Sequence, residues 1–271
     1  MNIIKIGVLL IPIKCYNKYE VNMKALITGA SSGIGLSFSK YLNDLGYDLV
    51  LVTRKKDKLE DLVKDYKVNV KIEELDIKNI NDLEKLFSNN KDIDMLINCA
   101  GFGLFGEFIN TDLDRELEMI DVNIKTLHVL TKLYVKEMVK NNRGYILNVA
   151  SMAGFSSGPL MSTYYATKNY VIALSEALNF ELKKKNKNVI ASCLCPGPVN
   201  TNFNRVAGVK FNDRGINSDY VAKYGIDNLL KGKTIIIPTL KFKMAAFFRR
   251  FAPRKLILNI IYNYQHKKNN S

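Results

Sequence analysis

Tyr164 and Lys168 stand four residues apart in a segment that reads as helix, a spacing that stacks both side chains on one face. A phenol with an ordinary pKa of about 10 is a poor base at neutral pH, and a neighbouring ammonium favours its ionised form. The pair is therefore a device for moving a proton to or from an oxygen, with Lys168 expected to tune Tyr164. Tyr165 has Asn169 at the matching position and lacks such a partner. A tyrosine four residues before a lysine is common on helix surfaces, so the pair by itself specifies little. Ser151 adds a hydroxyl at the end of the apolar run Gly144–Ala150, thirteen residues before Tyr164.

These groups need elements to position them. Lys24–Thr28, Asp48–Thr53, Asn69–Glu74, Met95–Asn98, Gly144–Ala150, Val189–Cys195 and Thr234–Pro238 are short aliphatic or β-branched runs separated by longer amphipathic segments. Nearly continuous apolar strands joined by crossover helices imply an α/β protein, a doubly wound parallel sheet of about seven strands with helices on both faces. No repeat, low-complexity linker or composition break divides the chain, so 23–238 is expected to form one domain. In such sheets ligands bind outside the carboxyl ends of the strands, where strand order reverses.

The first strand runs into Thr28-Gly29-Ala30-Ser31-Ser32-Gly33-Ile34-Gly35, with a helix to about Leu45 ended by Gly46. Gly29 permits the tight turn, Gly33 lets backbone approach a phosphate, and Gly35 allows close helix–strand packing. The helix N-terminus attracts the negative charge. The second strand ends in Arg54-Lys55-Lys56, where a dinucleotide site selective for a free ribose 2′-hydroxyl carries an acid. Arg54 suits a 2′-phosphate, with Ser31 as a helper, which points to NADP(H). Asp76 and Ile77 end the third strand beside the expected adenine. Asn98, Ala100 and Gly101 end the fourth, where small residues leave room for ribose.

Thr28-Gly29-x-x-x-Gly33-x-Gly35, Asn98-x-Ala100-Gly101, Asn123, Ser151, Tyr164-x-x-x-Lys168 and Pro196-Gly197 together resemble the short-chain dehydrogenases/reductases over about 24–238. The resemblance implies a Rossmann fold and hydride transfer between the cofactor and a carbonyl or alcohol. Tyr164 would be the general acid/base and Ser151 would hold the substrate oxygen. Lys168 would also bind the nicotinamide ribose. Asn123, on a helix read as Arg115–Val139, would anchor a water linking Lys168 to solvent. The loop residues Gly29, Ser31, Ser32, Gly33, Ile34 and Gly35 would take the phosphates, and Pro196, Gly197, Val199 and Thr201 the nicotinamide end. The family also implies a homodimer or homotetramer and a substrate lid over Phe203–Gly232, with Ser218 as N-cap of a helix to Leu230. Cys99 departs from the pattern, since many members carry a second Asn there. The closing Gly232-Lys233-Thr234 and a basic tail resemble the DltE-like bacterial subgroup. A regulatory or membrane-peripheral protein that binds NADP(H) with little turnover is the alternative reading.

An apolar substrate is expected from Phe102, Leu104, Phe105, Phe155, Leu160, Met161, Phe203 and Val206, several of which are equally plausible as core. The net charge of +14 does not imply nucleic acid, because its excess is a tail property: after Asp227 there are ten Lys or Arg and no acid. Segment 239–271 reads as two short basic amphipathic helices broken at Pro253. They are candidates for an anionic bilayer interface, for covering an apolar substrate, or for a partner subunit. Four cysteines suit a reducing cytosol. Cys193-x-Cys195, in a strand whose side chains alternate between faces, is not expected to act as a redox pair, and no metal site is expected. The extension 1–22, with its apolar run Ile3–Ile13 interrupted by Lys5 and Pro12, is too short to span a bilayer. Met23 opens the first strand, so a mis-assigned start is the expectation there.

Overall fold

The computed structural model describes residues 23–208 and 215–270. The extension 1–22 with Cys15, and 209–214 of the segment expected to be a lid, lie outside the described residues.

Seven strands form one parallel sheet in the order β3-β2-β1-β4-β5-β6-β7. They are β1 (Lys24–Thr28), β2 (Asp48–Thr53), β3 (Val70–Glu74), β4 (Met95–Asn98), β5 (Gly144–Val149), β6 (Val189–Leu194) and β7 (Ile235–Ile236). The helices are α1 (Gly33–Asp44), α2 (Lys56–Val63), α3 (Ile80–Ser88), α4 (Leu113–Ile120), α5 (Leu127–Lys140), α6 (Ser162–Lys184), α7 (Phe203–Val206), α8 (Ser218–Leu230), α9 (Leu240–Phe248) and α10 (Arg254–Asn270).

Strand side chains alternate between faces, and the two cores follow that period. Ala25, Ile27, Leu49, Leu51 and Ile97 pack under Phe38 and Leu42 of α1, Leu59 of α2, and Val221 and Ile226 of α8. Leu26, Val50, Val52, Leu96 and Ile146 face Leu83 of α3, Leu130 and Tyr134 of α5, and Leu182 of α6. Two fully covered faces explain why the strands read as continuous apolar runs. The order reverses between β1 and β4, which opens a crevice at their carboxyl ends.

Two helices differ from expectation. The helix read as Arg115–Val139 is α4 and α5 joined by a π turn over Asp121–Thr126, which holds the buried Asn123. Helix α8 is not part of a lid: it packs its Val221, Ala222, Ile226 and Leu229 into the core, and its N-cap is Asn217, whose side chain accepts from Tyr220 N at 3.0 Å. Cys193 and Cys195, two residues apart on one strand edge, share a face with their sulfurs 3.8 Å apart. Burial raises the Cys195 thiol well above its ordinary value, which keeps it protonated.

Candidate active site

Strand β1 delivers the chain into its turn with Gly29 at φ +71° and Gly33 at φ +54°, backbone that L side chains rarely adopt. A Cβ on Gly35 would lie 2.1 Å from the Gly29 carbonyl oxygen, so only glycine lets α1 sit this close to β1. Ser32, the N-cap, makes no side-chain cap bond, and the first N–H groups of α1 face the crevice as an anion seat. The Thr28 hydroxyl accepts from Cys99 N and Ala100 N, both at 3.1 Å, tying the β1 turn to the end of β4. These features fit the diphosphate of a dinucleotide.

Ser151 ends β5 in extended conformation and accepts from Ala153 N at 3.1 Å. Met152 N donates to Pro196 O at 2.9 Å, which joins the ends of β5 and β6. Tyr164 and Lys168 lie on the buried face of α6, and Ser151 lines the same cavity as both. The Lys168 ammonium donates to Val149 O at 3.0 Å and stands 5.8 Å from the centre of the Tyr164 ring. Burial lowers the Lys168 pKa to about 8. Burial also raises Tyr164 above its ordinary value, with the Ser151 hydrogen bond pulling the other way. The depression of Tyr164 expected from Lys168 is absent: desolvation dominates, only Ser151 opposes it, and the phenol is protonated at neutral pH. Burial likewise pushes the Cys99 thiol up to about 12.

A cavity of about 1220 Å³ connects these parts. Gly29, Ser31, Ser32, Gly33, Ile34, Gly35, Arg54, Asp76, Ile77, Ala100, Gly101, Ser151, Tyr164, Lys168, Pro196, Gly197, Val199 and Thr201 all line it. Two of the expected site residues do not. Asn98 is buried and donates to Asn148 Oδ1 at 2.9 Å and Thr131 Oγ1 at 3.1 Å, because it pairs in register with Asn148 across β4 and β5. Asn123 clamps the loop after Gly101. Its Oδ1 accepts from Phe102 N at 3.1 Å, and its Nδ2 donates to Phe102 O at 2.9 Å and Thr167 Oγ1 at 3.1 Å.

At the Arg54 end of the cavity, Glu118 of α4 gathers three cations. Arg115 is bonded to it, Lys78 Nζ lies at 3.3 Å and Arg54 Nη1 at 3.8 Å. Away from that cluster Phe155, Met161, Phe203 and Val206 line the wall as expected, and Phe102 lines it beside Arg115, whose guanidinium lies 4.8 Å from its ring, whereas Leu104, Phe105 and Leu160 do not reach the wall. The rest of that wall comes from the tail, for which the sequence left covering an apolar substrate as one of three roles, without singling out the residues that do so. Phe242 of α9 lies flat on Gly197, where a Cβ would approach its ring to 1.9 Å. Ala246, Ile257, Ile261 and Tyr264 continue the surface. The tail is fastened by Arg249, which donates to Ser156 Oγ at 3.2 Å, and by Gln265, which donates to the Tyr165 hydroxyl at 3.1 Å. The four-residue spacing of Phe242 and Ala246 was the available signal.

The fold and site define a doubly wound α/β protein with a glycine-loop anion seat and a Ser–Tyr–Lys cluster at the strand ends. The family model described as short chain dehydrogenase matches residues 23–209. The chain belongs to that family of oxidoreductases. It is 33% identical over 195 residues to an uncharacterized oxidoreductase of Staphylococcus epidermidis, covering 70% of this chain and 83% of that one. It is 27% identical over 205 residues to a 3-oxoacyl-(acyl-carrier-protein) reductase of Rickettsia prowazekii, covering 74% and 83%. Among solved structures it resembles a short-chain dehydrogenase from Sphingobium yanoikuyae in complex with NADPH, with TM-score 0.76, 27% identity, and 84% and 93% of the two chains covered. Among the described residues no helix is long and apolar enough to cross a membrane, and no group of three or more His, Cys, Asp or Glu is placed to hold a metal ion.

Proposed function

We propose that the protein is an NADP(H)-dependent oxidoreductase that transfers a hydride between the nicotinamide and an apolar carbonyl or alcohol, with Tyr164 as general acid/base. The observation that carries this reading is Tyr164, buried on the face of α6 that also carries Lys168, inside one cavity with Ser151 and the glycine loop. The cavity exceeds the roughly 300–1,000 Å³ of a single small-ligand site, which leaves room for a dinucleotide and a second molecule.

A bound NADPH supplies the hydride. Ser151 and Tyr164 together hold the substrate oxygen, and the protonated phenol delivers its proton as negative charge develops there. The oxidation direction runs the same transfer in reverse. Lys168, held by Val149 O, steadies the resulting phenolate, and its lowered pKa suits it to return a proton. Asn123 is a positioning residue that fixes the loop at Gly101 and Phe102 against α6. Arg54, largely exposed at the cavity lip, is placed for a 2′-phosphate, and the NADPH complex of the Sphingobium relative supports that choice. The apolar wall and the 3-oxoacyl reductases among the relatives favour an acyl-type carbonyl. Gly232-Lys233-Thr234 entering the last strand and the basic tail are the features behind the resemblance to the DltE-like subgroup.

The purified protein, assayed with NADPH and NADH against a panel of apolar ketones and aldehydes, should consume nicotinamide absorbance with at least one of them. Tyr164→Phe should lose roughly 10²–10⁴-fold in turnover while still binding cofactor. Wild-type turnover in that variant would remove Tyr164 from the chemistry.

A further inference from the structure

The C-terminal helix α9 carries apolar residues on two opposite faces. Phe242 and Ala246, four apart, turn to the cavity. Leu240, Met244, Phe247 and Phe248 fall at i, i+4, i+7 and i+8, one stripe of a 3.6-residue helix, and every one is exposed. Leu240 is 72% exposed, and Phe251, just beyond the helix, extends the patch at 74%. Lys241 and Lys243 flank the stripe, the exposed Arg250, Arg254 and Lys255 follow it, and no acid occurs after Asp227. A helix apolar all round is built to be buried on both sides. One side of α9 packs half-buried against the protein through Phe242 and Ala246, and the other stands exposed among the described residues.

The outer patch meets the mouth of the cavity. Phe248 and Ile260 are 56% and 58% exposed, yet both line the chamber. The rim therefore lies on the surface that carries the stripe.

We propose that the outer face of α9, with Phe251 and the start of α10, docks on an anionic lipid surface and brings the mouth of the apolar chamber to the bilayer interface, so that the substrate is a carbonyl compound drawn from the lipid phase. Aromatic and aliphatic side chains ringed by Lys and Arg match an anionic headgroup layer. A second copy of the tail matches it poorly, because apposed tails set cation against cation. The docking stands on the surface alone, whereas the clause on substrate rests on the function proposed above.

The test is co-sedimentation of the full chain with vesicles of phosphatidylcholine, with and without a one-third share of phosphatidylglycerol. The chain should pellet with the mixed vesicles, release as salt rises, and stay in solution with phosphatidylcholine alone. Phe247→Glu/Phe251→Glu should weaken that binding by roughly tenfold or more. Neither residue lines the chamber, so turnover of a short water-soluble ketone should be unchanged, while turnover of a long-chain ketone carried in the vesicles should fall. Arg250→Glu/Lys255→Glu reads the same surface should the first variant fail to fold, as circular dichroism would show. Absence of binding to the mixed vesicles, or undiminished binding by these variants, overturns the docking. So does a variant that only converts a dimer into monomers, which would make a second copy the occupant. Vesicle binding without turnover of any carbonyl keeps the docking and sinks the substrate clause; turnover without vesicle binding keeps the function proposed above and sinks the docking together with the clause that follows from it.

Discussion

Gln265, in the wall of the cavity, donates a hydrogen bond to the Tyr165 hydroxyl at 3.1 Å, joining the tail to the helix that carries Tyr164. Gln265 is buried, so loss of its acceptor leaves a polar group desolvated, at about 1–3 kcal/mol. Tyr165→Phe should therefore loosen the tail and raise KM for bulky apolar substrates several-fold, with little change in kcat on a small ketone. Replacing both partners, Tyr165→Phe/Gln265→Leu, should recover much of the loss, because neither polar group is then stranded. Steady-state kinetics and thermal melts of the single and double variants measure the coupling, and additive losses would show that the contact does not hold the wall.

Arg54 shares Glu118 with Lys78 and Arg115. A charge-assisted hydrogen bond to a 2′-phosphate contributes about 1.5–3 kcal/mol, so Arg54→Ala should lower the NADPH-to-NADH affinity ratio by roughly 10–100-fold. Glu118→Gln removes the competing carboxylate and should tighten NADPH several-fold without moving NADH. Titration of both cofactors by fluorescence decides this. An unchanged ratio in Arg54→Ala would refute its role in cofactor choice.

Much of this organisation was legible, for physical reasons that differ by element. Strands β1, β2 and β4 are buried on both faces, so their apolar runs end where the chain turns. Strand β7 pairs on one side only, and two residues of ladder remain of the five read as strand. Asn98 looked like a ligand contact because it ends a strand, yet the Asn98–Asn148 register turns both amides into one buried network. Period-2 alternation puts Cys193 and Cys195 on the same face, so alternation by itself does not keep the two thiols apart. The π turn at Asn123 has no composition signature. The tail's inner face could not be separated from its outer face without the fold, because α9 is apolar on both.

Gly35 and Gly46 separate steric from conformational demand. A Cβ on Gly35 meets the Gly29 carbonyl oxygen at 2.1 Å, whereas one on Gly46 meets nothing within 4 Å, although φ is +81° there. Gly46→Ala should cost about 1–2 kcal/mol from the left-handed backbone and leave cofactor binding intact. Gly35→Ala has to push α1 away from β1, at about 1–3 kcal/mol or more, and should abolish cofactor binding by displacing the anion seat. Denaturant unfolding and cofactor titration together test the contrast, and normal binding by Gly35→Ala would discard the close-approach argument.

Lys168 makes stability depend on pH in a direction that can be fixed in advance. Its pKa is lowered from 10.5 to about 8 by burial, so between those values the unfolded chain binds more protons than the folded one. Stability from this group accordingly rises with pH from about 8 to 10.5. The Cys99 thiol, pushed up to about 12, works against it once thiols in the unfolded chain ionise, which makes the raw wild-type curve a sum of opposed slopes. Comparison with Lys168→Met isolates the lysine. Below about pH 8 the methionine variant escapes the cost of a buried ammonium, and its stability relative to wild type should exceed that at pH 10.5 by on the order of 3 kcal/mol. The difference between the two urea-denaturation curves should shrink steadily across that window. The same variant should lose turnover at every pH, since the phenolate of Tyr164 no longer has a cation behind it. Parallel stability curves from pH 6 to 10 would mean that Lys168 keeps its ordinary pKa in the folded protein and that its bond to Val149 O offsets its burial.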